Sequence, residues 1–460
     1  MARQPTTRLQ VSGFRFLVRR TEHALLRGDV AMVDDPVRTQ SLSLAGGCVV
    51  AVIALAVCAV LAFFRPHAAL GDAVIVMSRE SGALYVRVGD VLHPVPNLAS
   101  ARLVAGSAAR PELVAESAIG QARRGPMLGT PGAPAVIGAP LTDRESGWAV
   151  CDSATTMVIA GRTDGVADSA REPSVLVTPR SESAATTYLL YDGRRARVDL
   201  RNPAVVLALR LDGIEPRPVS RALLDAIPEA PPIAPPYIPG AGSPSAVAGF
   251  RVGTVLRVAR VDAVDHFVVL ADGVQRIGEV AAELIRLTDA YGAREIATAA
   301  PDVVGTAPVV DTLAVSTFPQ RAGTPAGDDD DRVLCAQWLP EGPRSSLRLN
   351  DSLPASEQSS SVTLAQADGD GPNVDEVVMP QGRSAYVRAT GLIGGTGGPL
   401  YLVADTGVLF GLHDGDTAAL LGLPGAAVAA PWPVLSRLPR GPELSRDSAS
   451  VARDAVPSPP

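Results

Sequence analysis

The residues of this chain best suited to chemistry are four cysteines, five histidines, a short acidic run and one glycine-rich loop. Their spacing limits what they can do. The histidines (His23, His67, His93, His266, His413) are scattered, with no HExxH pair and no paired Cys/His spacing, so a zinc site has no support. No G-x-S-x-G nucleophile elbow is present. The four acids Asp328 to Asp331 lack the glycine and bidentate glutamate of an EF-hand loop, and a solvated acidic loop is expected there. The apolar runs ending at Asp272 (VVLAD) and Asp405 (YLVAD) resemble Walker B strands, yet each falls at the turn of an expected hairpin. Gly391 to Gly398 (GLIGGTGG) precedes a strand where a dinucleotide loop should follow one, so it reads as the flexible lead-in to a repeat. Lysine is absent, all 41 basic residues being arginine. That excludes a P-loop lysine on nucleotide phosphates and any Schiff-base lysine. No catalytic residue, metal or cofactor follows from these residues, and no nucleic-acid partner is expected.

The cysteines divide differently. Cys48 and Cys58 lie in a long apolar run, while Cys151 and Cys335 are the only two in the large remainder. One pair in so long a stretch suits a single disulfide in an oxidising compartment; two unrelated buried thiols are the other reading. A bridge would close a loop of more than 180 residues, which in the chain-entropy picture stabilises by about 5 kcal/mol.

These cysteines are placed by a chain that begins with a membrane anchor. Leu42 to Phe64 carries no charge over twenty-three residues and is flanked by Arg38 and Arg65. As a helix it would run roughly 34 Å against a hydrocarbon core of ~30 Å. A cleaved signal peptide is the competitor, but the segment and the tail before it are too long for one. Before the anchor, Arg3, Arg8, Arg15, Arg19, Arg20, Arg27 and Arg38 outnumber four acids, whereas the rest of the chain is acidic enough to bring the whole to −7. The positive-inside rule then puts the tail in the cytoplasm and the bulk outside, although Arg65 and Arg79 weaken the local bias. Gly47, Ala51, Ala54, Cys58 and Ala62 place small side chains on one face of the anchor, a surface for close helix approach or a chance result of alanine-rich composition.

In the tail, Val11, Phe14, Leu17, Val18 and Leu25 fall near helical spacing, opposite Arg15, Arg19, Arg20 and Glu22. A basic amphipathic helix is expected between Val11 and Val33, stopped by Asp34, Asp35 and Pro36. Phe14, Arg15, Leu17, Val18, Arg19 and Arg20 are its candidate docking residues, toward anionic lipid or a partner; a solvated tail is the bland alternative.

The outer bulk reads as α+β. Four hairpins are signalled by tight acidic or glycine turns, at Leu84–Leu92, Thr187–Val198, His266–Ile277 and Leu400–Phe410. Each precedes an Ala/Leu-rich helical stretch: Asn97–Val104, Asn202–Leu211, Gly278–Leu287 and Asp416–Leu423. Proline and glycine follow each. Short β-rich runs lie between the copies: Ala149–Val158, Ser174–Val177, Thr306–Thr317, Val333–Leu339, Ser361–Leu364 and Ala385–Thr390. They suggest a central, mostly antiparallel β core.

The expected organisation is therefore a single-pass membrane protein. It has a tail (1–41), an anchor (42–64), a linker and first repeat domain (65–130), a first part of the core (131–182), and second and third repeats (183–240 and 241–300). A second part of the core (301–395), a fourth repeat (396–445) and a disordered tail (446–460) follow. Pro231 to Pro244 (PPIAPPYIPGAGSP) reads as a stiff linker.

Long blocks carry a family resemblance. PTTRLQVSGFRFLVRRTEHALLRGDVAMVDDPVRTQSLSLAGG, SGALYVRVGDVLHPVPNLASARLVAG, GPMLGTPGAP, WAVCD and VLCAQW all resemble EccB, the membrane component of mycobacterial and actinobacterial type VII (ESX) secretion systems. The resemblance implies a cytoplasmic tail, one transmembrane helix in the inner membrane, and an elongated periplasmic part in which four repeats flank a β core with one disulfide at Cys151 and Cys335. It further implies assembly with EccC, EccD and EccE and self-association through the periplasmic part, within a hexameric machine. Members of the family have been described as ATPases, whereas this sequence has no Walker A motif and no lysine. Three functions follow: a scaffold of the secretion complex, a nucleotide-hydrolysing component of it, or a periplasmic module that binds cell-wall glycan.

Overall fold

In the computed structural model, residues 7–28, 36–64, 70–162, 173–180, 186–260, 263–288, 295–328, 331–340, 345–354, 359–395 and 397–454 are described. They fall into two compact units, Met1–Gly71 and Asp72–Pro460.

The first unit is helical. Helix Arg8–Arg27 opens on a capping box between Thr7 and Gln10 and closes at Gly28, whose φ of 68° and N–H bond to the Ala24 carbonyl terminate it. It starts earlier than expected and stops well before Val33, because the left-handed glycine acts before the Asp-Asp-Pro run does. The second helix, Pro36–Phe64, starts before Leu42, since proline is well tolerated in a first turn and the polar residues after it do not interrupt a helix. Within it Ser41–Val60 is long and apolar enough to cross a membrane, and every side chain of that stretch is exposed.

In the larger unit, four of the sheets among the described residues follow one strand path. The first runs Ile75–Ser78, Leu84–Val88, Val91–Val95 as an antiparallel meander. Helix Leu98–Ala105 then returns the chain so that Glu112–Val114 lies parallel to the opening strand, and after a second helix Arg123–Arg124 lies parallel to the far edge. The second sheet repeats this with Val175–Pro179, Thr187–Tyr191, Arg194–Val198, helix Pro203–Ala208 and Arg217–Val219. The third uses Val255–Ala259, Val264–Leu270, Gly273–Ile277, helix Glu279–Thr288 and Ala297–Thr298. In the fourth the sequence is Arg383–Thr390, Leu400–Ala404, Leu409–Leu412, helix Gly415–Leu420 and Val428–Pro431. Glu229 and Ile233, Val309, and Arg440 and Leu444 bridge the far edges of these three in parallel. The proline- and glycine-rich segments after each helix thus close the sheet edges, where a strand poor in N–H donors blocks further pairing.

Each unit contains more than the expected hairpin and helix. Ser174–Val177 and Ala385–Thr390, read as strands of the core, instead open the second and fourth sheets, and Gly391–Gly398 lies inside the fourth sheet between its first two strands. Thr306–Thr317 forms no strand; Val309 within it edges the third sheet.

The central sheet has six strands in the order Ser345–Asn350, Val333–Trp338, Gly147–Asp152, Thr156–Gly161, Glu376–Pro380, Ser359–Thr363. All its pairings are antiparallel except that of Thr156–Gly161 with Glu376–Pro380. Alternation sorts its side chains. Trp148, Val150, Leu334 and Ala336 face helices Arg221–Asp225 and Trp432–Leu435, while Ala149, Cys151, Cys335 and Val378 face the other way. The second and third sheets share one apolar core, the first and fourth another. Pro231–Pro244 is not a free spacer, for Ile233 and Ile238 are buried in the second-third core. Nor is the chain's end disordered from 446. Helix Arg446–Ala449 buries Ala449, Ala452–Arg453 pairs with Met127–Leu128, and only 455–460 lies outside the described residues.

Candidate functional site

The centre of the larger unit is a bond between two halves of the chain. Cys151 and Cys335 sit directly opposite one another on neighbouring antiparallel strands, their Cα atoms 4.1 Å apart, and are joined as a disulfide. Both are fully buried. The strands reach this position in equivalent ways. Ala139–Pro140, leading from the first sheet, runs parallel to the opening strand of the fourth, and Ala326, leading from the third, runs parallel to the opening strand of the second.

Beside the disulfide, Asp152 is 1% exposed and would be costly as a lone charge. Its carboxylate accepts from Arg180 at 2.9 Å, from the Thr156 hydroxyl at 2.8 Å and from the Ser220 N–H. Ser220 in turn caps helix Arg221–Asp225 by accepting from the Leu223 N–H at 3.1 Å. At the other end of that short helix Asp225 gathers Arg195, Arg221 and Arg437, the last brought from the fourth unit. Asp375 accepts the N–H groups of Thr156, Asp368 and Gly369 at 2.8 to 2.9 Å. Asp152 and Asp225 thus tie separate sheets together, while Asp375 fixes a loop of the central sheet to Thr156.

Two further side chains tie neighbouring sheets together. Glu145 is held down at about 2, first by the Thr142 N–H and then by the Arg383 guanidinium at 2.9 Å, and so ties the strap before the central sheet to the fourth unit. Burial pushes Tyr191 up to about 12, and its hydroxyl donates to the Thr317 carbonyl at 2.9 Å across the second-third seam.

The other residues singled out by sequence are dispersed. Phe14, Leu17 and Val18 are exposed on the first helix, as are Arg15, Arg19 and Arg20; Phe16, exposed too, falls toward the arginine side and blurs the two faces. Gly47, Ala51, Ala54 and Cys58 are exposed along the apolar helix, and the side chain of Ala62 lies outside the described residues. Asp272 and Asp405 occupy hairpin turns, Asp405 accepting from the Gly382 N–H. His93 bonds the Pro126 carbonyl and His413 faces Glu443 at 3.3 Å. His67, Asp329 and Asp330 lie outside the described residues. Among the described residues no three His, Cys, Asp or Glu side chains converge as a metal site. Sequence reasoning missed Asp152 and Asp225, because only the sheet order brings their arginines to them.

Among the described residues the larger unit is a set of β sheets joined through a central disulfide-bonded sheet, and the smaller unit carries one helix long and apolar enough to cross a membrane. The chain belongs to the EccB family: the family described as "Type VII secretion system ESX-1, transport TM domain B" matches residues 3–458. It is 37% identical over 475 residues to the "ESX-3 secretion system ATPase EccB3" of Mycolicibacterium smegmatis, covering 98% of this chain and 91% of that one. The "ESX-5 secretion system ATPase EccB5" of Mycobacterium tuberculosis is 34% identical over 478 residues, with 98% and 94% covered. Among solved structures, a chain of an intact ESX-5 inner membrane complex matches with a TM-score of 0.71 at 32% identity, over 100% of this chain and 98% of that one. The EccB3 dimer from the ESX-3 core complex matches with the same TM-score and identity over 83% of this chain and 100% of that one.

Proposed function

We propose that this chain is a structural subunit of a type VII secretion complex in the inner membrane, where it scaffolds assembly and supports protein export. The observation that carries this reading is the full-length likeness to a chain of the ESX-5 inner membrane complex. The use of charge supports it: Asp152, buried in the central sheet, and half-buried Asp225 tie separate sheets to one another instead of facing a cleft. In this reading Ser41–Val60 is the single membrane span, the arginine-rich tail is cytoplasmic, and the four sheets of common path are four repeat domains outside. Phe14, Arg15, Leu17, Val18, Arg19 and Arg20 dock the tail on other membrane components of the EccC, EccD and EccE type, and the outer part self-associates, as a relative found as a dimer suggests. Deleting residues 1–40 should abolish copurification with those components from native membranes. Intact complexes after that deletion would sink the docking role.

A second reading comes from the relatives' names, which describe ATPases. The residues do not favour it, since the chain has no lysine and its glycine-rich loop joins two strands of one sheet.

A further inference from the structure

The third sheet carries a concave site outside the charge network that ties the sheets together. A cleft of about 700 Å³ opens between the end of its first strand, the start of its second, the end of its third and the segment Gln320–Arg321. The wall is built around Asp265, only 5% exposed, whose two carboxylate oxygens are each taken by one arginine: Arg260 at 2.7 Å and Arg276 at 2.6 Å. A single buried carboxylate thus fixes two guanidinium groups that are themselves well exposed, 64% and 70%, and leaves the pair with a net positive charge. Arg321, also exposed, adds a third guanidinium to the lining from a separate segment of the chain. Glu279, the other acid of the lining, lies 3.8 Å from Arg210, which offsets part of its charge. The floor is close-fitting as well. Gln320 accepts the Glu279 N–H at 2.8 Å, and a Cβ on Gly278 would stand 3.0 Å from the Gln320 Cα.

An electropositive hollow is unexpected on a body that is acidic overall. Surface ion pairs need only one arginine per carboxylate. Two arginines preorganised on one aspartate, with a third lining the same hollow, present planar N–H forks of the kind that match the oxygens of a phosphate or carboxylate. We propose that this cleft binds an oxyanion, a phosphate or carboxylate group, held between the Arg260–Arg276 pair and Arg321. The group reaches the site either as a free small anion or carried on a polyanionic chain.

The test is calorimetric titration of the full-length chain in detergent with pyrophosphate, citrate and a linear polyphosphate. Saturable binding of at least one probe is expected, weakening at least tenfold in Arg321→Gln and in Arg276→Gln, and weakening further as salt is raised. Arg321→Gln leaves the Asp265 pairs intact, so its thermal melting should equal that of the parent and a loss of binding cannot be put down to unfolding. Polyphosphate binding much more tightly than pyrophosphate would assign the group to a polymer, and equal affinities would assign it to a free anion. No heat with any of the three probes, or binding that both substitutions leave unchanged, would overturn the proposal.

Discussion

The first and fourth sheets, and the second and third, are two pairs built on one strand path but sealed by different means. The first-fourth seam gathers Leu103, Phe410, Leu412 and Leu421 in one apolar cluster, carries a bond from the Arg102 guanidinium to the Leu421 carbonyl at 2.7 Å, and is laced by the end of the chain through Ala449 and the short strand Ala452–Arg453. The second-third seam is a continuous core around Leu209, Leu284 and Ile285, with the Tyr191 hydroxyl reaching across to Thr317. Topology alone therefore does not decide how a unit pairs. What decides it is which side chains the helix after each hairpin presents and which later segment of chain is left to cover them.

The bond common to both pairs should matter most. Replacing Cys151 and Cys335 by serine removes a crosslink across 184 residues, and the loop-entropy picture puts the loss at about 5 kcal/mol. Denaturant melting should show that loss, and hydrogen exchange should show both pairs loosening together. A loss confined to one pair would mean that the two halves fold independently of the bond.

Leu284→Ala is more selective. Leu284 is fully buried in the second-third core, and truncating such a side chain costs about 2–5 kcal/mol. Protection should fall in Val264–Leu270 and Arg194–Val198 and stay unchanged in Leu400–Ala404. Equal loss in both pairs would show that the seams are coupled through the central sheet.

The smallest effect concerns the strap that leads into the central sheet. Glu145 has a folded-state value of about 2 against an ordinary 4.5, so its contribution is fully present above the ordinary value and is lost as pH falls through about 2. Because its side chain is about a third exposed, solvent screening holds that contribution to about 1 kcal/mol. The stability gap between the parent and Glu145→Gln should be constant near neutrality and close between these two values. A gap that persists below pH 2 would mean that packing, not charge, holds the strap to Arg383.

Much of this was legible in the residues. The four hairpins and the helices after them follow from local turn chemistry and periodicity, which need no partner to be recognised. Their opening strands were not. Ser174–Val177 and Ala385–Thr390 are as apolar as the strands of the central sheet, and a strand's composition records that it is covered without recording by what. The far-edge segments read as punctuation because their prolines forbid an interior strand, though not an edge. The arginine cleft was invisible for a related reason: Arg260 follows the first strand, Asp265 and Arg276 lie on the next two, and Arg321 lies far along the chain.

By itself the sequence determined the apolar helix, the basic tail, the hairpins, the exclusion of lysine chemistry and the pair of cysteines free to bond, all of which depend on composition or near neighbours. Only the tertiary structure decided that Cys151 faces Cys335 in register, that each sheet is completed by strands lying outside its hairpin, and that Asp152, Asp225 and Asp265 acquire their arginines. Most of these pairings join distant segments, where local preference is silent and long-range packing chooses; those of Asp265 lie within one hairpin and its lead-in, where strand register and burial choose.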